Sequence, residues 1–134
     1  MTTESQMIAR AKQKVMNGTP WYTAPELAAL SGVTLTDLEV QLRLWKEKKD
    51  ILSVVHERVE LFPAYAFADK LQPFAELKAI LMLFDGKKNY WGTAYWFAGA
   101  NGYLDGQRPQ NVLQTDPDRV LPAAEDELAG VTHS

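Results

Sequence analysis

Cysteine is absent from this 134-residue chain, which excludes disulfides, zinc–thiolate centres and thiol nucleophiles. Histidine is scarce. The two present, His56 and His133, lie far apart in the sequence, and no metal site is expected from them. No apolar run approaches the roughly 18 residues of a membrane-spanning helix. Met1 to Gln6 lacks the basic-then-apolar pattern of a secretion signal, so a cytoplasmic setting with no membrane partner is expected. A phosphate loop is missing too, because Gly86-Lys87-Lys88 has neither the earlier glycine nor the following Ser or Thr. Asp105-Gly106 and Asp116/Asp118 read as turn and cap rather than calcium ligands. With no nucleophile beside a base, the sequence predicts no enzyme, no catalytic residue, no metal and no cofactor. The net charge of −3 gives no global pull toward nucleic acid, although a local patch can act alone.

What is present is apolar surface to bury. An apolar content of 46 % with 23 % charged residues is that of a globular chain. The length fits one domain, or two small lobes sharing a core. The stretch Tyr90 to Pro109 holds two of the four tryptophans and three of the five tyrosines. Trp91 and Tyr95 are four apart on one helical face and Trp96 points elsewhere, so this helix is expected to be covered on several sides. The core is the first reading of these rings, and an anchor for a partner interface is the alternative compatible with it.

The fold class expected is mainly α, with an N-terminal winged helix-turn-helix carrying a short β-hairpin, then a C-terminal helical bundle. Residues 1–62 form the first module, 63–128 the second, and 129–134 a flexible tail. Met7, Ile8, Ala11, Val15 and Met16 space out a first helix ended by Asn17-Gly18. Thr23 with Glu26 is a capping box, with Pro25 in the first turn. Gly32 ends that helix, and Thr34 with Asp37 caps the next. Leu27, Leu30, Val33, Leu38 and Leu42 are expected to fill the space between the two, where Ala28 leaves room. Ile51–His56 and Val59–Phe62, separated by Glu57-Arg58, read as the hairpin, with His56 solvated near its tip. Further helices are expected over Pro73–Phe84, from the Asn89 cap, from Pro109 to about Gln114, and from Pro117 to Leu128 behind a Thr115-Asp116 cap.

A helix-turn-helix binds DNA when its second helix offers polar or basic side chains to bases and phosphates. The DNA-facing candidates here are Thr34, Thr36, Arg43, Lys46, Lys48 and Lys49. Asp37 and Glu39 oppose them by repelling a polyanion. The lysines at the helix C-terminus also complement its dipole without any DNA. Both readings stay open.

Tyr65-Ala66-Phe67, Trp91, Trp96-Phe97, Asn101, Leu104, Gly106, Arg108-Pro109, Leu113, Asp116-Pro117, Val120-Leu121 and Ala123-Ala124 occur in that order. As a set they resemble the toxin-binding domain of Xre, MbcA and ParS antitoxins, over roughly Phe62 to Ala124. The resemblance implies a helical, commonly dimeric domain that blocks an NAD-consuming or ADP-ribosylating toxin of the RES type, preceded by a module that binds operator DNA. The positions it carries over are Trp91, Trp96, Asn101, Leu104, Gly106, Arg108 and Pro109. Physically, Gly106 suits a backbone bend, Asn101 a left-handed helix end and Pro109 a helix start. Arg108 is either an internal anchor or a partner contact. The function expected is a non-enzymatic, antitoxin-like transcriptional regulator. The alternative is a protein-binding adaptor whose helix-turn-helix does not bind DNA.

Overall fold

The computed structural model describes residues 3–133, with side chains for residues 3–130. The described residues form seven α-helices, a three-stranded antiparallel sheet and a two-stranded ladder. None of the helices is long and apolar enough to cross a membrane.

Helix α1 spans Glu4–Gly18 and opens on a Thr3–Gln6 capping box. A short strand β1, Trp21–Tyr22, leads to α2, Ala24–Ser31. Thr23 caps α2 through Glu26 N–H, while the Glu26 carboxylate accepts from Thr23 N–H. Gly32 closes it at φ 76°, a left-handed conformation that glycine adopts without steric cost. Helix α3, Leu35–Glu47, starts on the Thr34 hydroxyl, which accepts from Asp37 N–H. Strands β2, Val54–His56, and β3, Val59–Pro63, form the expected hairpin. Glu57 and Arg58 at its tip both have positive φ, as the twist of a two-residue turn requires. Ladder pairing begins only at Val54, so Ile51 and Leu52 are buried without belonging to the strand. Strand β1 joins the far side of β3, with Trp21 opposite Pro63, giving the order β1-β3-β2.

After a 3-10 turn at Ala64–Ala66 come β4, Phe67–Ala68, and β5, Gln72–Pro73, which pair with each other. Pro73 therefore belongs to a strand, and α4 runs Ala75–Phe84. Helix α5, Tyr90–Ala98, is capped by Asn89, and α6, Pro109–Thr115, starts on its proline. The expected Asp116 cap is not made. Its backbone is non-helical, Pro117–Arg119 forms a 3-10 turn, and α7 begins at Val120. Helix α7 then continues to His133 instead of stopping at Leu128. Gly130 lacks the positive φ of a helix-ending glycine, and a lone interior glycine costs only about 1 kcal/mol. Residues 129–133, expected as a tail, are thus helical, and Ser134 lies outside the described residues.

One hydrophobic core draws on both halves of the chain. Leu27, Leu38, Ile51, Phe62, Leu77, Phe97 and Leu113 are among its almost wholly inaccessible members. Helix α1 packs on α5. The end of α1 is tied down by two side-chain bonds, from Trp21 Nε1–H of β1 to Val15 O at 3.0 Å and from the buried Gln110 amide of α6 to Gly18 O at 2.6 Å. Leu30 and Val33, expected in the core, are 66 % and 43 % exposed. Helix α2 has eight residues and buries only Leu27 fully, leaving Leu30 on its flank and Val33 in the turn.

The hairpin is tied to α3. Glu60 Oε2 on β3 accepts from Lys46 Nζ and from the buried Ser53 hydroxyl, each at 2.6 Å. Burial pushes the Glu60 carboxyl up, but the hydrogen bonds from Lys46 and Ser53 and the Lys46 charge together outweigh it, so the net pKa is lowered. A carboxyl whose folded pKa is depressed adds stability above its unfolded value, and that stability is lost as pH falls through the folded value.

Two outcomes test this packing. Phe97→Ala should lower unfolding free energy by about 3–5 kcal/mol, whereas Leu30→Ala should stay within about 0.5 kcal/mol of the parent in urea denaturation. Titrating the urea midpoint downward from neutral pH should show Glu60→Gln losing less stability than the parent through and just below the usual glutamate range. Superimposable acid slopes would refute the Glu60 assignment.

Candidate functional site

The outer face of α3 is the first surface to consider. Leu38 and Leu42 anchor its inner face in the core, while Leu35, Thr36, Glu39, Val40, Arg43, Leu44 and Glu47 are exposed. Thr34 spends its oxygen lone pair on the Asp37 N–H, which leaves its O–H free to donate. Thr36 lies exposed in the first turn, and Arg43 is exposed without an ion pair among the described residues.

The three lysines do different work. Lys46 is held by Glu60 at 2.6 Å. Lys48 is exposed at the helix end. Lys49 has φ 60° and closes α3, with its own N–H bonded to Lys46 O and the next N–H, of Asp50, bonded to Trp45 O. That is the Schellman pattern, with lysine where glycine is usual. The Lys49 ammonium lies 3.3 Å from Asp85. Its pKa is raised by the hydrogen bond it donates to Asp85 and then by the Tyr90 and Asp85 charges. Thr36, Arg43 and Lys48 are therefore the DNA-facing candidates whose polar groups are unengaged, while Lys46 and Lys49 are already paired with carboxylates.

A further basic group sits where the sequence reading placed only a turn. Arg58 is exposed at the hairpin tip. Two adjacent non-glycine residues separating β-branched runs was the available signal, and it marks a turn without saying which side chain the turn presents. His56, expected to be solvated, instead packs its ring edge-on against Trp91 at 5.8 Å. Pairing with Val59 in the hairpin register brings it there. His133 lies outside the residues whose side chains are described. Among the described residues no group of three or more His, Asp or Glu could hold a metal.

The aromatic helix makes the second surface. Trp91 is half-buried, with Lys12 Nζ 5.0 Å from its ring centre. It shares an apolar hollow with Ile8, Ala11, Val15 and Tyr95 where α1 meets α5. Tyr95 is 45 % exposed and has Lys14 Nζ 5.3 Å from its ring. Trp96, expected on a different face from Trp91 and Tyr95, points inward, edge-on to both Phe84 and Phe97, and its buried Nε1–H has no acceptor.

The loop that follows is closed by Asn101, but not in the way expected. Asn101 is extended (φ −123°), and its side chain accepts from Tyr103 N–H to cap the 3-10 turn Gly102–Leu104. Helix α5 ends without it, at Gly99. The left-handed residues are Asp105 and Gly106, the latter bearing out the expected bend at φ 84°. Gly106 N–H returns to Asn101 O, and Asn101 N–H to Gln107 O. Leu104 and Pro109 are buried beneath this loop. Arg108 is exposed at the start of α6 with no ion pair among the described residues, so it is not an internal anchor. Tyr103, 53 % exposed beside it in the loop, was not singled out by the sequence.

A groove of about 630 Å³ separates α2 and α3 from the turn Lys70–Gln72, with Leu30, Val33, Trp45 and Leu71 along it. It is continuous with the apolar side chains that the turn between α2 and α3 leaves outside the core.

No family model matches this chain, and no curated protein matches it. A solved structure described as "NMR structure of Rv2175c" is similar to it, with a TM-score of 0.64 and 22 % identity over 83 % of this chain and 82 % of that one. At that identity the likeness establishes a shared fold.

Proposed function

We propose that this protein is a non-enzymatic DNA-binding regulator with a protein partner. In this reading α2, α3 and the β2–β3 hairpin act as a winged helix-turn-helix, and the C-terminal helices bind the partner. The observation that carries it is the uncovered outer face of α3, which presents Thr36 and Arg43 while Leu38 and Leu42 fix the helix from behind. The Lys46–Glu60 clamp holds the hairpin strand against the end of that helix, as a wing requires, and Arg58 is at the wing tip. For the partner, the exposed and unpaired Arg108 supports a contact of the kind the antitoxin resemblance implies, with a RES-type toxin as the cognate protein and a homodimer as the working form.

A second reading is favoured by a specific observation. Leu35, Val40 and Leu44 are exposed on α3 beside Glu39 and Glu47, and Lys46 and Lys49 are engaged by Glu60 and Asp85. Such a face suits a protein better than a polyanion, and the module would then be an adaptor.

Fluorescence anisotropy separates the two. A labelled duplex from upstream of the protein's own gene is compared with a scrambled duplex at two salt concentrations. The regulator predicts preference for the cognate duplex, loss of affinity with salt through counterion release, and a weakening by Arg43→Ala of about 1–3 kcal/mol. Equal, negligible binding to both duplexes at low salt would overturn DNA recognition and leave the adaptor.

A further inference from the structure

A pocket of about 260 Å³ opens at the start of α5, lined on its polar side by Lys49, Asp85, Lys88, Asn89, Tyr90 and Thr93. Asn89 caps the nine-residue helix, its side chain accepting from Gly92 N–H at 2.7 Å and its carbonyl from Thr93 N–H at 2.9 Å. The N–H groups of Tyr90 and Trp91 have no carbonyl partner within the helix, and the positive end of the helix dipole lies there.

Thr93 supplies the independent observation. It is 2 % exposed, yet its hydroxyl makes no hydrogen bond with any described residue. Ser53 and Gln110, buried to a similar degree, both have partners, whereas the unpaired Tyr65 hydroxyl and Trp96 Nε1–H are wholly enclosed. Thr93 Oγ1 is unpaired but not wholly enclosed, so this otherwise buried side chain keeps an open edge on the pocket where a ligand or water can bond.

The surrounding charge is cationic. Lys49 and Lys88 line the pocket, and Lys87 is exposed in the adjoining turn, which is fixed by the N–H groups of Lys87 and Lys88 bonding to Phe84 O. Asp85 is the carboxylate on the wall, and it holds Lys49 at 3.3 Å. Glu127 of α7 holds Lys88 at 3.3 Å. The Asp85 side chain is 61 % exposed and can turn to water. An entering dianion would compete with it for Lys49 through two charges instead of one, and would take up donors that a carboxylate at position 85 leaves idle.

We propose that this pocket binds a phosphate group through the first amides of α5, the Thr93 hydroxyl and the ammonium groups of Lys49 and Lys88. The phosphate belongs either to a small phosphorylated molecule or to a DNA backbone. The second source rests on the regulator reading, and the pocket itself does not.

The test uses the full chain, labelled with nitrogen-15. Sodium phosphate and sodium chloride are titrated at matched ionic strength and pH while the amide signals of Tyr90, Trp91, Gly92 and Thr93 are followed. Saturable movement with phosphate and none with chloride is expected. Thr93→Val keeps the side-chain shape and deletes a hydroxyl that bonds to nothing, so the variant should melt no lower than the parent. Its phosphate affinity should fall roughly tenfold or more, the worth of a hydrogen bond to a charged group. Lys49→Met should weaken binding as well. Amides that stay put in millimolar phosphate, or move equally in chloride, would overturn the site, as would unchanged affinity in Thr93→Val. A short duplex then separates the sources. Movement of the same signals, with weaker duplex binding by Thr93→Val, assigns the site to DNA. Signals moved by phosphate and untouched by duplex assign it to a free phosphorylated molecule, whatever the fate of the regulator reading.

Discussion

The stacking of Tyr65 on Phe97 holds the rest of the molecule in place. The rings lie 5.0 Å apart and 27° from parallel, one in the turn after β3 and the other on α5. Trp21 of β1 meets Tyr65 edge-on at 6.3 Å, and Trp96 continues the series to Phe84 of α4. The series of rings thus joins the small sheet to the C-terminal helices. It carries a cost, since the Tyr65 hydroxyl is fully buried without a partner, and burial drives its pKa far up so that it stays neutral. An unpaired buried hydroxyl costs about 1–3 kcal/mol. Each ring pair contributes about 0.5–1.5 kcal/mol beyond the area it buries. Trp96 Nε1–H is a second such unpaired group, and the four ring pairs with the burial of the rings offset both.

The end of α3 is the second fixed point. Three ion pairs meet around it: Lys46 with Glu60, Lys49 with Asp85, and Lys78 with Asp50. Partly exposed pairs of this kind are worth about 0–1 kcal/mol each, so their effect is on orientation more than stability. They set α3 against the hairpin on one side and against the turn between α4 and α5 on the other. Lys49 therefore belongs at once to the helix that would read DNA and to the pocket at the start of α5. A ligand that draws Lys49 away from Asp85 would act on both, which gives the two candidate sites a physical connection through one side chain.

The two surfaces differ in what they ask of a partner. The face of α3 mixes threonine, arginine, carboxylates and aliphatic side chains, while the loop from Asn101 to Arg108 is a closed backbone ring that displays Tyr103 and Arg108. Most of the positions in the antitoxin-like pattern are spent on building that ring. Leu104 and Pro109 are buried under it, Gly106 supplies its bend and Asn101 its cap. A sequence pattern of this sort reports the architecture of a loop more directly than it reports what the loop touches.

Read alone, the sequence determined the local events. The Thr23–Glu26 box, the Gly32 turn, the Thr34 and Asn89 caps, the Gly106 bend and the Pro109 start were all legible, because each is closed by backbone groups within about four residues. That Trp96 lies on another face of its helix than Trp91 and Tyr95 was legible too, from helical spacing. Only the tertiary structure decided which apolar and charged side chains find a neighbour. It left Leu30 and Val33 outside, turned His56 onto Trp91, and gave Lys46 and Lys49 carboxylate partners. It also seated Gln110 on the carbonyl of Gly18, 92 residues away. Whether a side chain is buried, paired or free depends on surfaces brought together from distant parts of the chain, and local spacing carries no record of them.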